Sequence, residues 1–279
     1  MIESMSLKLY SKPKFQNCYL LVCWNEDAGR LGPSVVDYLN RRLESQLFCE
    51  IEPEGFFQLG GVLVEGNVAQ FPESKFYYCS EKNLVIFRSD SPRSEWYKFL
   101  NTVLDIATDS FQIRELYTVG GMVTLASHTT PRVLLATANS PEMKTALSQY
   151  DIARDMDYET PPGQRPTLSS YLLWIARRRD ILGAALWVPV PFYLASTSDP
   201  RAYRKMLDFL NKRFNLGIDL SDFDEEIHRQ NEKIARLANQ FPELDDFFRK
   251  LENNLSLTDE ENSRLVQLME DHLSKEDRD

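Results

Sequence analysis

The chain has 279 residues, of which 43% are hydrophobic, and 42 acidic residues against 32 basic ones give it a formal net charge of −10. The length allows one large domain or a domain with an appendage, and the composition excludes a chain that is disordered throughout. We expect a soluble protein, because no apolar run approaches the roughly 20 residues that a membrane-spanning helix needs.

A short apolar strand followed by a proline at a helix start recurs four times along the chain. Proline suits the first turn of a helix, and Ser or Asp before it can cap the free amides. The four pairs are Tyr19–Trp24 with Gly32-Pro33, Leu84–Phe87 with Ser91-Pro92, Val133–Ala136 with Ser140-Pro141, and Ala184–Val190 with Asp199-Pro200. Strands that alternate with amphipathic helices predict an α/β fold whose largely parallel sheet is covered on both faces.

Between the first helix and the Leu84 strand, the sequence predicts an antiparallel insert. Val62–Val64 and Val68–Gln70 flank Gly66-Asn67, which is a typical two-residue hairpin turn. Further along, a fifth strand is predicted over Glu115–Val119, followed by the glycine pair Gly120-Gly121. Residues 155–166, with three prolines and several charges, predict a surface loop before a helix over 168–179.

The C-terminal segment differs from the rest of the chain in charge. Residues 219–279 hold 18 acidic and 8 basic side chains and so carry the whole net charge, whereas residues 1–218 hold 24 of each. The pattern predicts an α/β domain over 1–218 and an acidic helical extension over 219–279. Ser221 is expected to cap the first helix of the extension, Pro242 to end it, and Thr258 with Glu261 to form a capping box further on. An acidic extension beside a neutral body argues against nucleic-acid binding.

Apolar residues of the extension recur at helical spacing and need a surface to cover them. That surface is either the protein's own body or another protein, and the sequence leaves both open. We treat these residues as candidate protein-interaction positions: Ile227, Ile234, Phe241, Phe247, Phe248, Leu265 and Leu268.

No motif for nucleotide binding, metal binding or nucleophilic catalysis is present. The sequence lacks GxxxxGK[ST] and GxGxxG, and its histidines are scattered. We therefore predict no catalytic residues, no metal and no cofactor. If a small-molecule crevice exists, the ends of the strands favour a lining of Asp90, Gly120, Gly121, His128 and Arg132. The alternative is a structural glycine turn followed by a solvated loop.

The four cysteines have no CxxC spacing, and the N-terminus has no secretory signal layout. We expect four reduced, mostly buried thiols and a cytoplasmic protein.

An ordered series of short segments along the chain resembles the proteasome assembly chaperone 2 family. The segments are Gly32-Pro33, Leu84–Pro92, Tyr117–Gly121, Pro131–Val133 with Ala136–Ala138, Ile181–Pro191, Asp199-Pro200 and Gly217–Asp219. The resemblance implies a three-layer α/β/α sandwich similar to purine nucleoside phosphorylases. It also implies a non-enzymatic role in protein assembly and, as in archaeal and bacterial relatives, a homo-oligomer. Relatives that dock into proteasome pockets can end in hydrophobic-Tyr-any. This chain ends in Lys275–Asp279, so we do not expect docking by that route.

The leading hypothesis is a non-catalytic scaffold or assembly factor that binds copies of itself, as a trimer or larger, and a client protein complex. Neither nucleic acid nor a membrane is an expected partner. The alternative hypothesis is a protein or enzyme that binds a nucleoside or phosphate in the crevice at the strand ends.

Overall fold

The computed structural model describes residues 7–11, 17–53, 55–57, 63–153 and 159–273. Within these ranges the predicted α/β class is confirmed. The strands are β1 Leu7–Leu9, β2 Tyr19–Trp24, β3 Gln46–Ile51, β4 Leu63–Glu65, β5 Val68–Gln70, β6 Ser74–Cys79, β7 Leu84–Ser89, β8 Glu115–Thr124, β9 Leu135–Ala138 and β10 Leu182–Pro191. The helices are α1 Leu31–Arg42, α2 Trp96–Phe111, α3 Pro141–Leu147, α4 Leu168–Arg177, α5 Pro200–Phe214, α6 Asp222–Gln240, α7 Glu243–Glu252 and α8 Asp259–Leu273.

Eight strands form one mixed sheet in the order β1-β3-β6-β7-β2-β8-β10-β9. At its centre β2 runs parallel to β7, with Tyr19 opposite Leu84, and parallel to β8, with Tyr19 opposite Glu115. The strands β1, β3, β6 and β7 pair antiparallel, and the β3–β6 pairing shifts register between Leu47 and Cys49. The insert between α1 and β7 therefore supplies an antiparallel half to a sheet whose centre is parallel.

The separate two-stranded hairpin is where the sequence predicted it. β4 and β5 pair antiparallel around Gly66 and Asn67, which both have positive φ, as this turn requires. Val62, part of the predicted first strand, lies outside the described residues.

Two of the four predicted helix starts are capped as expected. The Ser140 side chain accepts a hydrogen bond from Met143 N at 3.2 Å, and that of Asp199 accepts one from Ala202 N at 3.2 Å. The Ser91-Pro92 start is wrong, because α2 begins only at Trp96, after Glu95 in a left-handed conformation. The Gly32-Pro33 start is also placed too late, because α1 begins at Leu31 and Pro33 is its third residue.

The extension is helical, with one cap formed and one not. Thr258 N donates to Glu261 Oε2 at 2.9 Å and Glu261 N donates to Thr258 Oγ1 at 3.2 Å, which confirms the capping box. Ser221 precedes α6 but makes no side-chain cap bond, because its hydroxyl donates to Asp219 Oδ2 instead. α6 ends at Gln240, just before Pro242, as predicted.

The chain divides into two compact units, each assembled from separate stretches. Unit one comprises residues 1–26, 36–119 and 136–186, and unit two comprises 27–35, 120–135 and 187–279. Unit one holds the centre of the sheet, where Leu20, Val85 and Leu116 are fully buried. In unit two, α5 contacts α6, α6 contacts α7 and α7 contacts α8. The predicted boundary at residue 218 stays a prediction.

All four cysteines are buried and none forms a disulfide with another described residue, as expected for reduced thiols. Burial raises the pKa of Cys18 to about 11 and that of Cys49 to about 12, so these two thiols stay protonated and unreactive near neutral pH. In the described part of the chain, no helix is both long enough and apolar enough to cross a membrane.

Candidate functional site

β8 continues through Gly120-Gly121 to Thr124, so the predicted end of this strand at Val119 is wrong. In unit two, the glycine pair packs against the segment that precedes α1. Gly121 N donates to Asp27 Oδ1 and Gly32 N donates to Asp27 Oδ2, both at 2.7 Å. The second bond satisfies a free amide in the first turn of α1, where a negative charge is also favoured by the helix dipole. Both carboxylate oxygens of Asp27 are therefore used within the fold.

The same packing explains why glycine occupies both positions of the pair. A Cβ on Gly121 would lie 2.2 Å from the carbonyl oxygen of Ala28, and a Cβ on Gly120 would lie 3.0 Å from Asp27 Oδ1. The close approach of backbone to backbone is made by this chain itself. A ligand on the Cβ side of Gly121 would therefore meet Ala28.

His128, on the loop after β8, is buried beneath α7. Its Nδ1 is 2.9 Å from the hydroxyl of Tyr193, which also accepts a hydrogen bond from His128 N at 2.6 Å. The ring of Phe248 stands edge-on to that of His128, with centroids 4.7 Å apart. Nearby, Thr129 Oγ1 donates to Glu252 Oε1 at 2.7 Å. Tyr193 and α7 thus hold the imidazole in place.

The electrostatics around His128 keep the imidazole neutral. Burial, together with the nearby charges of Arg132 and Arg201, lowers the pKa of His128 to about 4. Burial also raises the pKa of Tyr193 above its ordinary value. The imidazole is therefore a neutral, buried group that is held by the protonated phenol of Tyr193 and by the ring of Phe248.

Arg132 forms a fully buried ion pair with Asp199. Arg132 Nε and Nη2 each lie 2.9 Å from Asp199 Oδ2, and the two side chains are 3% and 0% exposed. The guanidinium also donates to the carbonyl of Thr130, at 2.5 Å, and to that of Ser127, at 3.4 Å. Because Asp199 also caps α5, this pair ties the loop after β8 to the start of a helix. We call His128, Arg132, Tyr193 and Asp199 the buried cluster.

Asp90 belongs to unit one and has a different set of partners. Its Oδ1 accepts from Asn25 Nδ2 at 3.1 Å and its Oδ2 accepts from Glu73 N at 2.7 Å. Asn25 Oδ1 in turn accepts from Arg88 Nε at 2.7 Å, and Arg88 pairs with the half-exposed Asp37. We call Asn25, Asp37, Arg88 and Asp90 the half-exposed cluster.

The five residues of the predicted crevice are thus distributed over both units. Unit two contains Gly120, Gly121, His128 and Arg132, each engaged by a group that sequence reasoning did not connect with it. Those groups are Asp27, Tyr193 and Asp199. Asp199 was noticed only as a helix cap, and nothing in the local sequence links it to an arginine 67 residues away.

Each unit has a cleft, and the cleft in unit two borders the candidate residue His128. In unit two, a cleft of about 440 Å³ is lined by residues that include His128, Ile234 and Phe248. In unit one, a cleft of about 770 Å³ follows the edge strand β9 and is bordered by Lys144 and Arg177. No group of His, Cys, Asp or Glu side chains among the described residues is arranged to hold a metal ion.

The apolar positions of the extension lie mostly inside unit two. Ile227 and Phe241 are half-buried, and the other five are buried: Ile234, Phe247, Phe248, Leu265 and Leu268. The first alternative, packing against the protein's own chain, accounts for these five. That these seven residues take part in binding another protein stays a prediction.

Large apolar side chains that are exposed form two groups of interest. In unit two, the end of β8 and the following loop expose Met122, Val123, Leu125 and Val133, at 41 to 62%. In unit one, Tyr97 on α2 and Trp174 on α4 are 53% and 47% exposed. Exposed apolar groups of this kind are typical of surfaces that bind other proteins.

Solved structures of low sequence identity share this fold. A Mycobacterium tuberculosis protein of unknown function has a TM-score of 0.75 and 17% identity, covering 90% of this chain and 89% of its own. Pyrococcus furiosus PbaB, an archaeal proteasome activator, has a TM-score of 0.66 and 20% identity, covering 83% and 98%. A Mycobacterium tuberculosis proteasome-assembly chaperone homologue has a TM-score of 0.66 and 16% identity, covering 78% and 94%. Among curated proteins, none matches the chain significantly.

The family resemblance drawn from the ordered segments is confirmed by a family model. The match begins just after β2 and ends inside α6, so it takes in both the half-exposed cluster and the buried cluster. Since the PAC2 family model matches residues 25–238, more than half of the chain, the protein belongs to the PAC2 family.

Proposed function

We propose that this protein is a non-catalytic assembly factor that works in the cytoplasm as a homo-oligomer, a trimer or larger, and binds a client protein complex. Membership of the PAC2 family supports this role, as does the likeness in fold to proteins named as a proteasome activator and a proteasome-assembly chaperone homologue. Four buried cysteines without a disulfide are in keeping with a reducing compartment.

The observation that carries the proposal is the contrast within residues 120–135. The polar side chains of this segment that would be needed for chemistry are used internally, His128 by Tyr193 and Arg132 by Asp199. The apolar side chains of the same segment point outward, with Val123 53% and Leu125 62% exposed. A segment built this way is suited to contact protein rather than to transform a small molecule.

The exposed apolar side chains Met122, Val123 and Leu125 are the proposed contact with a second copy. Burying them against a surface of the neighbouring subunit would remove apolar surface from water, at about 25 cal/mol per Å². A closed homo-oligomer repeats one such contact at each subunit boundary, so a single substitution acts on every boundary at once.

Light scattering after gel filtration tests the proposal. We expect the wild-type protein at micromolar concentration to be a trimer or larger, and Leu125→Ser to shift it toward the monomer. The matched control is Leu255→Ser, which changes a side chain of similar exposure (58%) in the same unit and should leave the assembly intact. A wild-type protein that is strictly monomeric and recovers no client on pull-down would defeat the proposal.

A small-molecule binder is the second candidate, and the cleft of about 440 Å³ beside His128 is the observation in its favour. Thermal-shift measurements with nucleosides, nucleotides and inorganic phosphate separate the two functions. A non-catalytic assembly factor should show no saturable shift. A saturable rise of several degrees that is lost in His128→Leu would favour the binder.

A further inference from the structure

Helices α2 and α4 of unit one together present a group of aromatic rings that lie close together, tilted relative to one another. The rings of Tyr171 and Trp174 have centroids 5.4 Å apart, and Tyr97 lies 6.4 Å from Trp174 and 6.5 Å from Tyr171. Trp96 joins the group at 6.4 Å from Tyr171. The guanidinium of Arg178 lies over the ring of Trp174, at 5.2 Å from the centroid. We call these five residues the aromatic surface.

The exposure of these rings is unusual for large aromatic side chains. Tyr97 and Trp174 are about half exposed, and Trp96 and Tyr171 are only partly buried. Trp, Tyr and Arg are the residues that contribute most to binding energy at protein interfaces. Because the rings already hold one another in place, a partner would lose little side-chain entropy when it binds them.

Three consecutive arginines at the end of α4 have three different surroundings. Arg179 pairs with Asp105 at 2.6 Å and also donates to Asn101, whereas Arg177 borders the cleft along β9. Arg178 is exposed, lies over the ring of Trp174 and forms no ion pair with any described residue. The aromatic surface therefore carries a positive charge for which a partner can supply the carboxylate.

The size of the aromatic surface indicates what fits on it. Aromatic side chains offer roughly 150–250 Å² each when buried, so four that are partly exposed supply on the order of 400 Å². A stable interface between two folded subunits buries about 800 Å² on each partner. The available area suits one short chain segment and is too small for a second copy of this protein.

We propose that the aromatic surface binds a short acidic segment of a partner protein. Apolar side chains of the segment pack on the rings of Tyr97, Tyr171 and Trp174, and a carboxylate of the segment pairs with Arg178. A charge-assisted bond beside apolar contacts gives both affinity and a preference for acidic sequences. The inference shares with the proposed function the premise that the protein binds other proteins. It does not require that the protein forms a homo-oligomer.

The test uses random linear peptides displayed on phage, selected against the immobilised full-length protein. We expect the enriched sequences to combine acidic with apolar residues. The best sequence, made as a labelled synthetic peptide, should lose at least about tenfold in affinity toward Trp174→Ala and toward Arg178→Glu. Replacing its acidic residues by lysine should weaken binding to the wild type and restore part of the binding to Arg178→Glu.

Two variants serve as matched controls. Tyr10→Ala removes another exposed tyrosine, and Arg177→Glu makes the same charge change one residue away, so both should bind the peptide within about threefold of the wild type. No enrichment, enrichment of sequences without acidic residues, or equal losses at Arg177 and Arg178 would overturn the inference. So would self-association that is lost in Trp174→Ala, since the occupant would then be a second copy. A monomeric protein that binds these peptides would count against the proposed homo-oligomer and leave this inference standing.

Discussion

The two polar clusters contain similar groups but differ in their access to water. In the buried cluster, Arg132 and Asp199 are 3% and 0% exposed. In the half-exposed cluster, Arg88 and Asp37 are 27% and 52% exposed. Each cluster has an arginine paired with an aspartate. Arg88 lies near the end of β7, and Arg132 lies on the loop after β8. From the sequence alone they look alike.

The difference in burial changes what each ion pair does for the protein. An exposed pair is screened by water and contributes little, whereas removing one partner of a buried pair leaves a charge without compensation. The buried cluster therefore acts as a structural joint, which binds the loop after β8 to α5 and, through Phe248, to α7. We expect the half-exposed cluster to tolerate the loss of one member, because water compensates the charge that remains.

Removal of the extension is the most severe test of the buried cluster. Deleting residues 219–279 takes away Phe248, which packs on His128 and Tyr193, and Gln230, whose side chain donates to Ser198 O at 2.7 Å. We expect unit two to lose stability comparable to that of a whole domain, about 5–15 kcal/mol. Calorimetry and limited proteolysis would show it. A truncated chain with an unchanged melting temperature would instead support the predicted domain boundary at 218.

Substituting the two arginines gives the sharpest comparison of the clusters. Arg132→Leu leaves Asp199 buried without its partner, and we expect the free energy of unfolding to fall by about 3–5 kcal/mol. Arg88→Leu breaks a pair that is open to water, and we expect a loss of at most about 1 kcal/mol. Urea titrations at constant pH measure both. Equal losses of unfolding free energy in the two variants would mean that burial does not determine how much each ion pair stabilises the protein.

The glycine pair tests how tightly unit two is packed beside the buried cluster. In Gly121→Ala the new methyl group would lie 2.2 Å from the carbonyl oxygen of Ala28, a backbone atom that cannot rotate away. We expect a loss of about 1–3 kcal/mol, typical of overpacking. Gly120→Ala is the matched control and should lose less, because its methyl group meets the movable carboxylate of Asp27 at 3.0 Å. If Gly120→Ala lost more stability than Gly121→Ala, the tightest contact would be at Gly120 and not between Gly121 and the carbonyl oxygen of Ala28.

Features that depend on neighbouring residues were predictable from the sequence. β2 has the bounds that its apolar run predicted, and the caps of α3 and α5 follow from a polar residue just before a proline. The start of α2 was not predictable, because Glu95 adopts a left-handed conformation for which the local sequence gives no signal. Residues close in sequence determine turns and helix caps, but they determine only in part the residue at which a helix begins.

The partners at the glycine pair and in the buried cluster were not predictable, because they are distant in sequence. Asp27 is 94 residues from Gly121, and Tyr193 is 65 residues from His128. The aromatic surface was missed for a different reason. Trp96 is half-buried at the first position of α2, while Tyr97 and Trp174 are exposed beside the buried positions of their helices. Aromatic residues just off a buried stripe, on two helices, are the signal that could have indicated this surface.

Asp27 tests the same burial effect through pH, with the smallest expected change. Burial raises the pKa of Asp27 from 3.8 to about 6, although the backbone amides of Gly32 and Gly121 act in the opposite direction. Because the folded pKa lies above the unfolded one, folding favours the protonated carboxyl. The stabilising contribution is therefore fully present below about pH 4 and is lost as the pH rises through about 6.

Asp27→Asn removes this titration, so its free energy of unfolding should fall less than that of the wild type between about pH 4 and pH 7, by on the order of 1–2 kcal/mol. Urea titrations across that range measure the difference in slope. Asp37→Asn, in the half-exposed cluster, controls for the loss of one negative charge from the molecule. Parallel profiles for the wild type and Asp27→Asn would mean that water reaches the carboxyl at the glycine pair. Unit two would then be open to water beside the glycine pair of β8, where Asp27 accepts hydrogen bonds from Gly32 and Gly121.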